Sequence, residues 1–162
     1  MKKYTYWLLP ICWMGVIFYS SSTPYQEQDI KPFMSEYLDF SFLIPIVEGI
    51  SFSYHHSQVS VAALGINGFI EFFVRKGAHV SVYLILMCLF YLACKQTLRI
   101  SFKARLAISF ILTSLYAVTD EIHQGFTQNR TPYAGDVGLD VFGALIALVA
   151  IVFINNLIKR RR

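Results

Sequence analysis

Three short runs of this sequence concentrate groups that can hold charge or move protons. Arg75, Lys76, His79 and Tyr83 form the first. Asp120, Glu121, His123 and Gln124 form the second. Asp136 and Asp140 form the third, and Arg130 lies between the second and third. The spacing fits helices, on which residues three or four apart share a face. Arg75, His79 and Tyr83 then stack in one row, and Asp120, His123 and Gln124 in another. Asp136, Asp140, Gly143 and Ala147 make a third stripe, whose small residues allow another helix to come close. One run supplies cations and the other two supply carboxylates. Two unit charges 4 Å apart attract by about 4 kcal/mol at an effective dielectric near 20. Asp136 and Asp140, one turn apart, repel each other unless a cation stands nearby.

Two kinds of chemistry fit these residues. In the first, Arg75, Lys76 and Arg130 clamp an anion, the arginines by bidentate contacts. Carboxylates then orient the cations and, with His79, Tyr83 and Gln124, bind hydroxyl or amine groups. In this form Arg75 and Arg130 are held by Asp120, Glu121 and Asp136. In the second, Asp120 or Glu121 acts as a general base and His79 or His123 as an acid–base group. A divalent cation on Asp120, Glu121, Asp136 and Asp140 would suit magnesium, manganese or calcium better than zinc. No metal-ligand motif or nucleophile elbow marks such a site, so no metal and no cofactor is assigned, and binding ranks above catalysis.

The elements that must position these groups are membrane spans. Of the 162 residues, 56% are hydrophobic and 15% charged, against about 25% charge in soluble domains. Such a composition excludes disorder, and the length excludes a large multidomain enzyme. Four stretches approach the roughly 20 apolar residues a helical span needs: about 4–19, 72–94, 104–120 and 136–158. The expected fold is an all-α membrane protein, a single domain over 1–162, with four transmembrane helices and a partly helical outer loop over 20–71. Pro10 is expected to kink the first span. The other three spans should converge on one polar cleft, with the first, which carries no internal charge, packed outside it.

Charge sets the orientation. Four spans place both termini and the loop between the second and third spans on one side. That side carries ten of the fourteen basic residues and none of the ten acids. Basic residues accumulate in cytoplasmic loops, so both termini are expected in the cytoplasm. The closing Lys159-Arg160-Arg161-Arg162 then reads as a basic stop at a membrane boundary, and no nucleic-acid partner is expected. The first span, with Trp7, Pro10 and Trp13, suits a retained helix better than a cleaved leader. Cys12, Cys88 and Cys94 supply neither a disulfide framework nor a metal site.

The loop over 20–71 is long for a connection and mixes aromatic residues with isolated acids. It reads as short helices at the membrane interface, with a re-entrant alternative around Phe40–Ile50. His55 and His56 read as solvent-facing loop residues, and Ser20–Ser22 as a polar helix end.

Taken in order, several pieces resemble the VanZ-like family. They are Trp13-Met14-Gly15-Val16-Ile17-Phe18-Tyr19-Ser20-Ser21-Ser22, Arg75-Lys76-Gly77-Ala78-His79 with Tyr83, Asp120-Glu121-Ile122-His123-Gln124, and Arg130, Asp136, Asp140 and Gly143. Many members carry asparagine where Asp140 stands and an acid where Val82 stands. The resemblance implies a multi-pass protein of the bacterial inner membrane. The family's namesake is associated with resistance to the lipoglycopeptide teicoplanin. The expected partners are the bilayer and an envelope lipid or lipid-linked precursor. The alternative is an intramembrane hydrolase or transferase acting on a lipid headgroup.

Overall fold

A computed structural model describes residues 2–128 and 131–161, without the side chains of residues 2, 25 and 26. A 3₁₀ turn, Lys2–Trp7, leads into helix α1, Leu8–Ser22. Two short helices follow, α2 at Lys31–Tyr37 and α3 at Ile44–Val47, then strands β1 at Ser51–Tyr54 and β2 at Ser57–Ser60. Three long helices complete the chain: α4 at Val61–Thr97, α5 at Phe102–Gln124 and α6 at Ala134–Arg160. These three are long and apolar enough to cross a membrane. Helix α1 has 15 residues, short of the roughly 17–25 a span needs. So three helices meet the length and composition of a span where four spans were expected.

Each long helix starts or bends where the local chemistry requires. The Ser60 hydroxyl accepts from Ala63 N and the Ser101 hydroxyl from Ala104 N, so each caps an orphan first-turn donor. Gly65 adopts φ 69°, inside the left-handed region, and bends α4 one turn after its start. Pro10 is the third residue of α1, where no intrahelical donor is needed. Helix α4 also starts well before residue 72, because 61–71 joins it instead of forming a separate interfacial helix. Helix α5 runs four residues past 120.

Segment 40–50 is a 3₁₀ turn at Ser41–Leu43 followed by α3, with Phe42 and Ile46 both about 70% exposed. Strands β1 and β2 form an antiparallel hairpin in which Tyr54 pairs with Ser57, so the fold is not purely α. The turn residues His55 and His56 have φ 47° and 63°. Positive φ at both positions is what a two-residue hairpin turn requires, and Asn-Gly usually supplies it.

Helix α4 is the centre of the bundle and packs against α1, α5 and α6. One core cluster joins Ile17 of α1, Tyr83, Leu86 and Phe90 of α4, and Ala117 of α5. A second joins Met87, Leu106, Ala144 and Ala147. Helices α4 and α6 are closest at Gly143, where a Cβ would overlap the Val80 carbonyl. The predicted stripe of small residues is therefore the α6 face against α4. Helix α1 follows α4 along much of its length. Trp7 Nε1 donates to Thr97 Oγ1 near one end, Trp13 Nε1 to the Val82 carbonyl in the middle, and the Gln124 amide of α5 reaches Ser21 near the other.

Candidate functional site

The end of α1, the middle turns of α4, the end of α5 and the start of α6 meet at the acidic end of the bundle. They surround an open cleft of about 380 Å³. Arg75, Lys76, His79, Tyr83, Asp120, Gln124 and Asp136 line it, so most of the residues singled out by spacing do come together. Val16, Ile17, Ser20 and Ser21 line it as well. Helix α1 is therefore a wall of the cleft, contrary to the expectation that it packs outside. Lack of charge did not exclude it, because its contribution is two hydroxyls and an apolar strip.

The predicted complementarity of cations and carboxylates is present, with partners that differ in part. Lys76 Nζ lies 2.5 Å from Asp136 Oδ1, and the Tyr54 hydroxyl donates to the same oxygen. The Tyr54 ring, in turn, sits 4.4 Å from the Lys76 ammonium. Burial, and then the bond to Asp136, raise the Tyr54 hydroxyl above the ordinary tyrosine value, so it remains a donor. His79 Nδ1 lies 3.0 Å from Asp140 Oδ1, and Asp140 is fully buried behind it. The Asp120 Oδ2 accepts from Tyr83 and from Gln124, each at 3.1 Å. The Gln124 amide also lies 3.5 Å from the Ser21 hydroxyl.

Arg75 departs from expectation. Its Nε and Nη2 donate to Glu71 Oε1 at 3.1 and 3.0 Å, and Nη2 also donates to the Gln28 carbonyl at 2.9 Å. Its carboxylate partner is thus Glu71, not Asp120, Glu121 or Asp136. Glu71 is almost fully buried and also has Lys31 at 3.7 Å. It was readable from sequence as the residue four before Arg75, on the same helical face. Glu121 accepts from the Tyr133 backbone N–H at 2.6 Å and ties the end of α5 to the start of α6. It does not line the cleft. Nor does His123, whose ring stacks on Phe18 at 4.1 Å. Arg130 lies outside the described residues. Tyr133 also stacks against His55, at 4.5 Å, so the hairpin turn rests on the start of α6. His55 is therefore packed, not solvent-facing.

Three buried carboxylate oxygens have no donor: Asp120 Oδ1, Glu121 Oε2 and Asp140 Oδ2. Among the described residues, no group of three or more His, Cys, Asp or Glu side chains is placed to hold a metal ion. The four carboxylates considered together for a divalent cation are separated by their own donors, Lys76, His79, Tyr83 and the Tyr133 N–H.

Fold and site together define a multi-pass helical membrane protein with a charged cleft at one end. The family model described as VanZ/LLP1 matches residues 6–155, and the chain belongs to that family. No curated protein and no solved structure matches it.

Proposed function

We propose that this protein binds or modulates a polar or anionic envelope lipid, or a lipid-linked ligand, in the cleft at its acidic end. The observation that carries the reading is the change of polarity along the cleft. Arg75, Lys76 and Asp136 line one part, and Val16, Ile17 and Val82 line another, further along α1 and α4 from the acidic end, where Tyr83 and Asp120 are the polar groups beside them. Such a gradient fits a ligand with a polar head and an apolar tail. Arg75 and Lys76 supply charge-assisted donors for a phosphate oxygen. Native mass spectrometry of the detergent-released protein tests this reading. A co-purified phosphate-bearing lipid, lost in Lys76→Ala, supports it, and the absence of any bound lipid rejects it.

The charge distribution supports a setting in the bacterial inner membrane with both termini in the cytoplasm. The 3₁₀ turn and α1 together form the fourth crossing, because this segment follows α4 from Thr97 to the level of Val82 and continues to Ser21. Phosphatase activity from a fusion at the C-terminus would reject this topology. On the same reading the acidic end faces outward, and Phe33, Phe42 and Ile46, all exposed, rest at headgroup level. Expression in a sensitive bacterium should then shift susceptibility to teicoplanin, the compound linked to the family's namesake.

One observation favours a second reading, an intramembrane hydrolase or transferase. His79 lines the cleft, and its Nδ1 is held by the buried Asp140. That bond orients the ring and assigns the tautomer that leaves Nε2 as a proton acceptor. Turnover of an envelope lipid by purified protein, abolished in His79→Gln, would select this reading over binding alone.

A further inference from the structure

We infer that the ligand of this cleft carries an ammonium group beside its phosphate. The inference rests on the lipid-binding reading above and narrows the class of headgroup. Its first support is charge. Among the described residues, the cleft and the shell directly behind it hold five carboxylates: Glu71, Asp120, Glu121, Asp136 and Asp140. The fixed cations are Lys31, Arg75 and Lys76. A phosphate alone would add negative charge where carboxylates already exceed cations. A headgroup with its own cation would not.

The second support is an unmet acceptor. Asp120 lines the cleft yet is only 4% exposed. Its donors Tyr83 and Gln124 both go to Oδ2, and Oδ1 has none. A buried carboxylate oxygen without a donor is costly, and an N–H from a ligand would satisfy it. The α1 side chains that line the same cleft match. Ser20 and Ser21 are neutral, so nothing from α1 repels a cation there.

The third support is position. Lys76 and Tyr83 are seven residues apart on α4, about 10 Å along the axis. Phosphate at Lys76 and ammonium at Asp120, next to the Tyr83 hydroxyl, therefore sit at different depths. The ammonium is carried on a tether, as in ethanolamine or aminoacyl esters of a phospholipid headgroup.

The experiment is native mass spectrometry of purified protein with equimolar phosphatidylglycerol, phosphatidylethanolamine and lysyl-phosphatidylglycerol. At least one amine-bearing lipid should bind about ten-fold more tightly than phosphatidylglycerol. Asp120→Asn should abolish that preference, while Lys76→Gln should weaken all three lipids alike. A second measurement needs no variant: phosphoethanolamine should displace bound lipid from the wild type at lower concentration than glycerol phosphate. Equal binding of phosphatidylglycerol, a preference that survives in Asp120→Asn, or equal displacement would each overturn the ammonium inference and leave the anionic cleft standing. No binding of any of the three lipids would overturn both.

Discussion

The two ends of the bundle carry similar residue types and use them differently. Every Lys or Arg ion pair between described residues belongs to the acidic end or the segment beside it: Lys31 with Asp29 and Glu71, Arg75 with Glu71, and Lys76 with Asp136. At the other end Lys95, Lys103, Lys159 and Arg160 are exposed, and the acids of their own helices lie at the far end. A charge with a fixed partner in a cleft is positioned, and it acts through geometry. A charge in solvent next to a membrane boundary acts through its sign alone. The first kind builds a site, and the second orients a chain.

That contrast can be broken by stability measurements in detergent. The largest effect is expected from Lys76→Ala, which strands Asp136 and removes the cation beneath Tyr54. Loss of one partner of a buried pair costs about 3–5 kcal/mol, and Lys76 with about 20% of its side chain exposed should fall near the low end. Arg160→Ala, at the other end, should stay within about 0.5 kcal/mol of wild type. If thermal unfolding shifts equally for both variants, the two ends are not different in kind.

A second variant sharpens the comparison by moving the carboxylates without touching them. Gly143→Ala sets a methyl against the Val80 carbonyl, and overpacking of this sort costs about 1–3 kcal/mol. The displaced α6 should carry Asp136 and Asp140 away from Lys76 and His79. Unfolding at lower temperature together with weaker lipid binding is the expected result. A destabilised protein that keeps full lipid affinity would show that the α4–α6 crossing does not set the site.

The smallest effect is expected from Tyr54→Phe. It removes one hydrogen bond to Asp136, worth about 1 kcal/mol, and leaves the ring over Lys76. Hydrogen exchange should quicken in β1 and β2 and stay unchanged in α5. Unchanged exchange in the hairpin would show that its anchor lies elsewhere, for example in the stacking of His55 on Tyr133.

These comparisons also show what could be read from the sequence. Asp136, Asp140 and Gly143 lie in a helix with a regular four-and-three spacing, so their common face and the closeness of α6 to α4 were legible. Convergence of the Arg75–Tyr83 row with Asp120 and Asp136 followed from charge alone. The pairing of Arg75 is hidden by the complementary charges of the other helices, because its partner Glu71 stands four residues away on its own helix. The hairpin was missed for a local reason. Its turn is His55-His56, without the Gly or Asn that normally supplies positive φ, and both residues of the Ser51–Ser60 pair and their neighbours Ser53 and Ser57 are serine. The role of α1 was hidden because hydroxyls and aliphatic side chains lining a cleft look, in sequence, like those facing lipid.

The order in which these partners leave the ribosome has a consequence of its own. Lys76 is made sixty residues before Asp136, His79 sixty-one before Asp140, and Tyr83 thirty-seven before Asp120. Helix α4 therefore reaches the bilayer ahead of the helices that carry those acids. Arg75 is the exception, since Glu71 precedes it by four residues and is available once that turn is helical. In the proposed topology Arg75 and Lys76 are carried outward against the bias that keeps basic residues inside. The Glu71 carboxylate is then an escort during synthesis: it halves the positive charge of this pair at the moment of translocation. The apolar run from Val80 to Ala93 supplies the pull until α5 and α6 arrive. The cleft is the last part of the molecule to be assembled, and the final helix completes it.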